Sequence, residues 1–199
     1  MKKGCSGLTI LIIVAVVAVV WGVGVYNGLV ESEQKVETAW SQVENVYQRR
    51  ADLIPNLVNT VKGYAKHEQE TLEGVVNARA KATQITVDPT NMTPEDLQKY
   101  QAAQGEIGAA LGRLIAVSES YPDLKANENF LELQNQLEGT ENRIAVERNK
   151  FNEITKEYNT KRKKFPTNLI AGFFGFGDKP YFKAEEGADK APKVDFGTN

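Results

Sequence analysis

The sequence predicts an all-α protein: a single N-terminal transmembrane helix followed by an antiparallel up-and-down bundle of three to four long helices. Three observations predict it. An eighteen-residue run from Leu8 to Val25 carries no charge. Beyond it, apolar residues recur in alternating steps of three and four over two long stretches, the spacing of helices packed lengthwise. The first of those stretches shows none of the period-2 alternation of a half-buried strand.

The charge-free run, LTILIIVAVVAVVWGVGV, makes a helix about 27 Å long. The hydrocarbon core of a bilayer is about 30 Å thick. Trp21 and Tyr26 stand at its far end, where amphipathic rings favour the headgroup layer. Gly22-Val23-Gly24 is a passable cleavage site. The apolar run nevertheless exceeds the roughly 7–15 residues of a signal core, so residues 8–26 read as a retained span. Lys2 and Lys3 precede it, whereas Glu31, Glu33 and Glu37 follow with only Lys35 among them. The positive-inside rule then makes residues 1–7 a short cytoplasmic N-terminus and puts the helical domain outside the cytoplasm, on the inner membrane. Cys5 precedes the apolar segment, the reverse of the lipoprotein order, and reads as a free thiol at the inner face.

Composition excludes several classes. Residues 1–30 hold two of the 24 basic residues and no acid, so the remainder carries 22 cations against 26 acids. A mildly acidic body without clustered cations is unsuited to duplex nucleic acid. One cysteine and one histidine, His67, leave no disulfide framework, no multi-cysteine zinc site and no two-histidine di-iron set. No nucleophile triad, phosphate loop or metal spacing is present. The expectation is no catalytic residue, no cofactor, no metal and no small-molecule substrate.

The bundle is expected over residues 29–165. Val36, Trp40, Val43, Tyr47, Ile54, Leu57, Val61 and Tyr64 form the first seam, with Arg50 filling one gap, and Leu72, Val75, Val76 and Ala80 extend it. A helix from Leu29 to Gln84 would be about 84 Å long, and Pro55 is expected to interrupt it with a kink. Residues 85–93 form a loop. Thr93-Pro94-Glu95-Asp96 starts the next helix, with Thr93 as cap. Its apolar face is Leu97, Tyr100, Ile107, Leu111, Leu114 and Ile115, and its Gly105, Gly108 and Gly112 suggest a close helix–helix contact. The last helix, capped by Asn127 or Asn129, carries Phe130, Leu133, Leu137, Thr140, Ile144, Glu147, Phe151, Ile154, Tyr158 and Phe165 on one seam. It closes in Lys161-Arg162-Lys163-Lys164, cations at the negative end of the helix dipole. Residues 166–182 are an aromatic-rich docking segment, and 183–199 read as a disordered tail.

These residues resemble a known family. Ala39-Trp40, Tyr47 to Arg50, Asp52 to Val58 and Val61 to Tyr64 resemble the first-helix signature of LemA proteins, as do His67-Glu68 and Ala78-Arg79. Tyr121-Pro122, Leu124 to Ala126, Phe130, Leu133-Gln134, Leu137, Thr140 to Ala145, Arg148, Tyr158-Asn159, Phe165-Pro166 and Tyr181-Phe182 extend the resemblance. It implies a bacterial, membrane-anchored antiparallel bundle without established enzymatic activity, and a likeness to magnetosome membrane proteins. It supplies no molecular function.

Two sets of residues stand out. Arg50, Asp52, Glu141, Arg143 and Glu147 are a candidate structural polar seam, in which Arg50 pairs with Glu141 or Glu147 and fixes helix register. Lys161, Arg162, Lys163, Lys164, Phe173, Phe174 and Phe176 form a candidate membrane or partner contact, provided the chain makes four passes, through a break at Pro55 or Gly63, and so returns to the bilayer. A three-pass bundle would end far from the anchor. The expected function is a non-catalytic envelope scaffold or adaptor that binds other envelope proteins or itself. A regulatory subunit of a membrane protease or signalling system is the alternative, with an enzyme third.

Overall fold

The structure is a computed structural model that describes residues 3–183. The tail 184–199 and the side chains of Lys2, Lys3 and Cys5 lie outside the described residues. Six helices follow in order: α1 (Lys3–Tyr64), α2 (Gln69–Thr83), α3 (Pro94–Ser118), α4 (Pro122–Lys125), α5 (Glu128–Lys163) and α6 (Thr167–Phe174). Among the described residues there is no strand.

The chain makes four passes. α1 rises, α2 folds back beside it, α3 rises again and α5 returns along α1 from the level of Tyr64 to that of Gly28. The pairing is antiparallel at every level: Asn127 bonds Tyr64 at the far end, Glu141 meets Arg50 midway, and Lys161 reaches Gly28 at the near end. α1–α5 and α2–α3 are the close pairs, and long side chains such as Trp40 and Tyr100, 5.1 Å apart, join the two layers. Ala78, Ala82, Ala103 and Ala110 share one core cluster, so small side chains permit the close approach of α2 and α3.

The first seam is buried from Val36 through Val61, but its register shifts at the end. Ala65 rather than Tyr64 closes it, and Leu72, Val75, Ala78 and Ala82 face the core while Val76 and Ala80 face out. Pro55 does not break the helix. Proline deprives the carbonyl four residues earlier of its donor. Arg79 of α2 replaces that donor, its Nε lying 2.8 Å from the oxygen of Ala51. The chain turns instead at residues 65–68, where Tyr121 donates its hydroxyl proton to Glu68 at 2.9 Å.

Local chemistry sets the other helix ends. Thr93 and Asp96 form a reciprocal capping box at the start of α3, and the Asn127 side chain accepts from the Phe130 amide at 3.0 Å. The loop 85–93 is not merely a connection, because Val87 and Met92 are buried beneath it in the lower core. Gly105, Gly108 and Gly112 depart from expectation: nothing lies within 4 Å of a Cβ added at any of them. They occupy the outer side of α3 while Ala103, Ile107, Ala110 and Leu114 take the core side, so within the chain they support no close helix contact.

The N-terminal part of α1 is long and apolar enough to cross a membrane, and none of that stretch is buried within the protein.

Candidate functional site

Two polar constructions stand out, one at mid-bundle and one at the end of the bundle nearest the apolar run. At mid-bundle the seam carries Arg50 inward, where it is 3% exposed. Its NH1 donates to Glu141 Oε1 at 2.7 Å, and its NH2 donates to both the side-chain and the backbone oxygen of Gln104 at 2.8 Å. The guanidinium lies 5.2 Å from the Tyr47 ring centroid, and its Nε has no partner. A planar, permanently charged fork suits such a site better than an ammonium, since it satisfies two directions at once. Burial raises the phenol pKa of both Tyr47 and Tyr100 beside it, so these rings stay neutral.

Only Arg50 and Glu141 of the polar seam are brought together. Asp52 is exposed and accepts from Gln48 at 2.8 Å; Arg143 is exposed. Asp52 sits two residues beyond Arg50, about 200° around the helix. Glu147 is partly buried, with Lys150 at 3.9 Å, and lies six residues beyond Glu141, hence on another face.

At the near end, the basic tract holds the chain as it folds back. Lys161 donates to the Gly28 carbonyl and to Ser32 Oγ, the latter at 2.8 Å. A Cβ at Gly28 would stand 3.0 Å from the Lys161 ammonium, so glycine leaves it room. Arg162 donates to the Phe176 carbonyl and pairs with Asp178 at 2.9 Å, while Lys163 reaches the same carboxylate at 3.2 Å. Lys164 is exposed. α6 then packs Ala171 and the following Phe176 on Leu29 of α1, with Val25 and Ile170 alongside. Tyr26 meets Phe174 and Phe176 at ring distances of 4.8 and 5.7 Å. Gly175, at φ +77°, ends α6 in the left-handed conformation that glycine adopts without strain.

From there a non-helical strap, residues 177–183, runs back along α5. Asn159 grips it by both edges, accepting from the Lys179 amide at 3.0 Å and donating to the Lys179 carbonyl at 2.8 Å. Asn152 repeats the grip one heptad away on Phe182, at 2.9 and 3.0 Å. Phe182 is thereby stacked on Trp40, edge-on to Phe151 and beneath the Arg148 guanidinium. The Lys179 ammonium is buried as well. It pairs with Glu33 at 2.8 Å and donates to the carbonyls of Pro89 and Thr90, so that strap, α1 and the 85–93 loop meet on one charge. Desolvation, reinforced by Glu33, pushes the Tyr158 phenol up to about 12 at the base of this construction.

Sequence reasoning missed Lys179, Glu33 and the two asparagines. Signals for them exist: Lys179 is the sole cation between Lys164 and Lys183, and Phe151-Asn152 and Tyr158-Asn159 repeat an aromatic–asparagine pair at a spacing of seven. Among the described residues, no group of three His, Cys, Asp or Glu is placed to hold a metal ion.

The fold and this strapped end define a class: helical-bundle proteins carried on an N-terminal apolar helix. The LemA family model matches residues 39–196, and the chain belongs to that family. Protein LemA of Metamycoplasma hominis is 28% identical over 164 residues, covering 82% of this chain and 71% of that protein. Magnetosome protein MamQ 2 of Paramagnetospirillum magneticum is 28% identical over 181 residues, covering 82% of this chain and 66% of its own. Magnetosome protein MamQ of Magnetospirillum gryphiswaldense is 27% identical, with the same coverage. The chain thus spans just under two thirds of the length of the magnetosome relatives.

Proposed function

We propose that this chain is a membrane-anchored, non-catalytic scaffold or adaptor of the bacterial cell envelope. It holds other envelope proteins, or further copies of itself, at a set distance from the bilayer. The observation that carries the reading is the continuity of α1, one helix from the apolar run into the core of the bundle. The naming of the MamQ relatives as magnetosome proteins supports the anchor. The polar constructions read as register devices: the terminal nitrogens of Arg50 and the Lys179 ammonium are directed to partners within the chain. Lys2 and Lys3 ahead of the span favour a cytoplasmic N-terminus and an extracytoplasmic bundle on the inner membrane.

Cross-linking of the tagged full-length protein in native membranes, followed by mass spectrometry of what is retained, tests the reading. One or two dominant foreign proteins make the chain an adaptor, and a protease or signalling protein among them would make it a regulatory subunit. Recovery of its own chain alone makes it a self-assembling scaffold. A turnover activity that is abolished by changing a glutamate or His67 would overturn the non-catalytic reading.

A further inference from the structure

Among the described residues, the face of α6 turned away from the bundle is left largely uncovered. Phe173 is 84% exposed, Leu169 61% and Phe174 54%, three large apolar side chains on an eight-residue helix. The opposite face is docked through Ala171 and Ile170. Its depth is fixed by α1: Ile170 lies 3.8 Å from where a Cβ at Gly22 would be, and the Phe174 ring meets Tyr26 at a tilt of 58°. Gly22 and Tyr26 bracket the last turn of the apolar run, beside Trp21, the level at which aromatic rings settle between acyl chains and headgroups.

We propose that α6 is a second, peripheral membrane contact, with Leu169, Phe173 and Phe174 seated at the acyl–headgroup boundary and Lys163 and Lys164 facing anionic headgroups. The inference rests on the apolar run of α1 spanning the bilayer. Two observations single out lipid as the occupant. The patch is continuous with the exposed apolar surface of the span, so whatever covers one borders the other. Charge is complementary too: of the four cations of residues 161–164, Asp178 offsets one, and the surplus lies at the start of α6. A basic flank beside an aromatic face is the pattern of helices that lie in the interface plane. The bundle is then held at two points, a span and a foot, and so cannot swivel freely about the span.

The test uses the full-length protein in a Cys5→Ser background, reconstituted into vesicles of mixed phosphatidylcholine and phosphatidylglycerol. An environment-sensitive fluorophore is placed by Phe173→Cys, and independently by Leu169→Cys should the first alter helix content. Val146→Cys gives an aqueous reference and Val16→Cys a reference within the span. Expected is severalfold stronger quenching by shallow spin-labelled lipid at 173 than at 146, with protection from aqueous iodide, at every protein-to-lipid ratio. The double variant Lys163→Gln/Lys164→Gln should raise iodide access at 173, as should vesicles of phosphatidylcholine alone. Iodide access at 173 equal to that at 146, with the 16 label still quenched by lipid, overturns the foot and leaves the anchor standing. Loss of lipid quenching at 16 overturns both. Protection that disappears on dilution in lipid assigns the face to a second copy of the chain and overturns the lipid reading.

Discussion

Arg79 gives Ala51 the hydrogen bond that Pro55 withholds. Its Nε lies 2.8 Å from the carbonyl oxygen that an ordinary residue at 55 would have served, so a side chain from α2 completes the ladder of α1. The bond also ties α2 to the helix it folds against, which makes the proline a docking point rather than a break.

The two residues should therefore be coupled energetically. Arg79→Met is expected to destabilise the full-length protein by about 1–3 kcal/mol, the range for leaving a buried carbonyl unserved. In a Pro55→Ala background, where the helix supplies its own N–H, the same change should cost clearly less. Chemical denaturation of the four proteins of this double-mutant cycle measures the difference. Equal costs in both backgrounds would show that Arg79 acts through packing alone.

The Arg50–Glu141 pair carries a second expectation. Arg50→Glu leaves two acids facing one another and should cost about 3–5 kcal/mol, as for other broken buried pairs. Adding Glu141→Arg should restore only part of that. The Gln104 carbonyl, which now accepts from Arg50, would face an acceptor. Thermal unfolding followed by circular dichroism separates partial rescue from none, and an absence of rescue removes the register role.

Strap and bundle should be separable. Asn159→Ala removes both hydrogen bonds to Lys179, while Asn152 still holds Phe182. Amide exchange at Lys179 is expected to accelerate strongly, with a smaller effect at Phe182 and none at Ile107, deep in the distal core. A uniform rise across all three would mean that the strap is part of the global folding unit.

Alkaline pH should unfold the lower core. Burial raises the phenol pKa of Tyr47, Tyr100 and Tyr158, the last to about 12. The folded protein therefore holds those protons more tightly than the unfolded chain, whose tyrosines titrate near 10. The stability linked to them is fully present below pH 10 and is lost as pH rises towards 12. Tyrosinate absorbance and helical ellipticity followed in one titration should show the late-titrating phenols ionising together with loss of helix. Ionisation of these three phenols near 10 with the helix intact would contradict the assignment.

Much of the bundle is legible in the residues because burial imposes a period. Val36 to Val61 and Phe130 to Tyr158 repeat every three or four positions, and Arg50 declares itself by interrupting that repeat. Other features have no periodic signal. Residues 65–68 contain neither proline nor glycine, and the turn there depends on Tyr121, more than fifty residues away. Pro55 misleads for the same reason, its compensation being supplied by α2. The glycines of α3 invite a contact reading, yet which face of a helix carries them is settled only once the alanines have taken the core. At the near end the aromatic segment shows its unusual composition, but the burial of Lys179 requires Glu33 and two loop carbonyls to converge, and no local pattern encodes that convergence.

α1 has no joint between its apolar run and the bundle, and this has a mechanical consequence. From Tyr26 to Tyr64 the helix climbs about 57 Å at the standard rise per residue. With its lower part seated in a bilayer, any change in inclination there passes undamped to the distal corner formed by Tyr64, Glu68, Tyr121 and Asn127. A lean of about 20°, typical of single helices in lipid, would sweep that corner sideways by about 20 Å. So seated, the helix would act as a lever, carrying a local change of inclination to a point far from the bilayer.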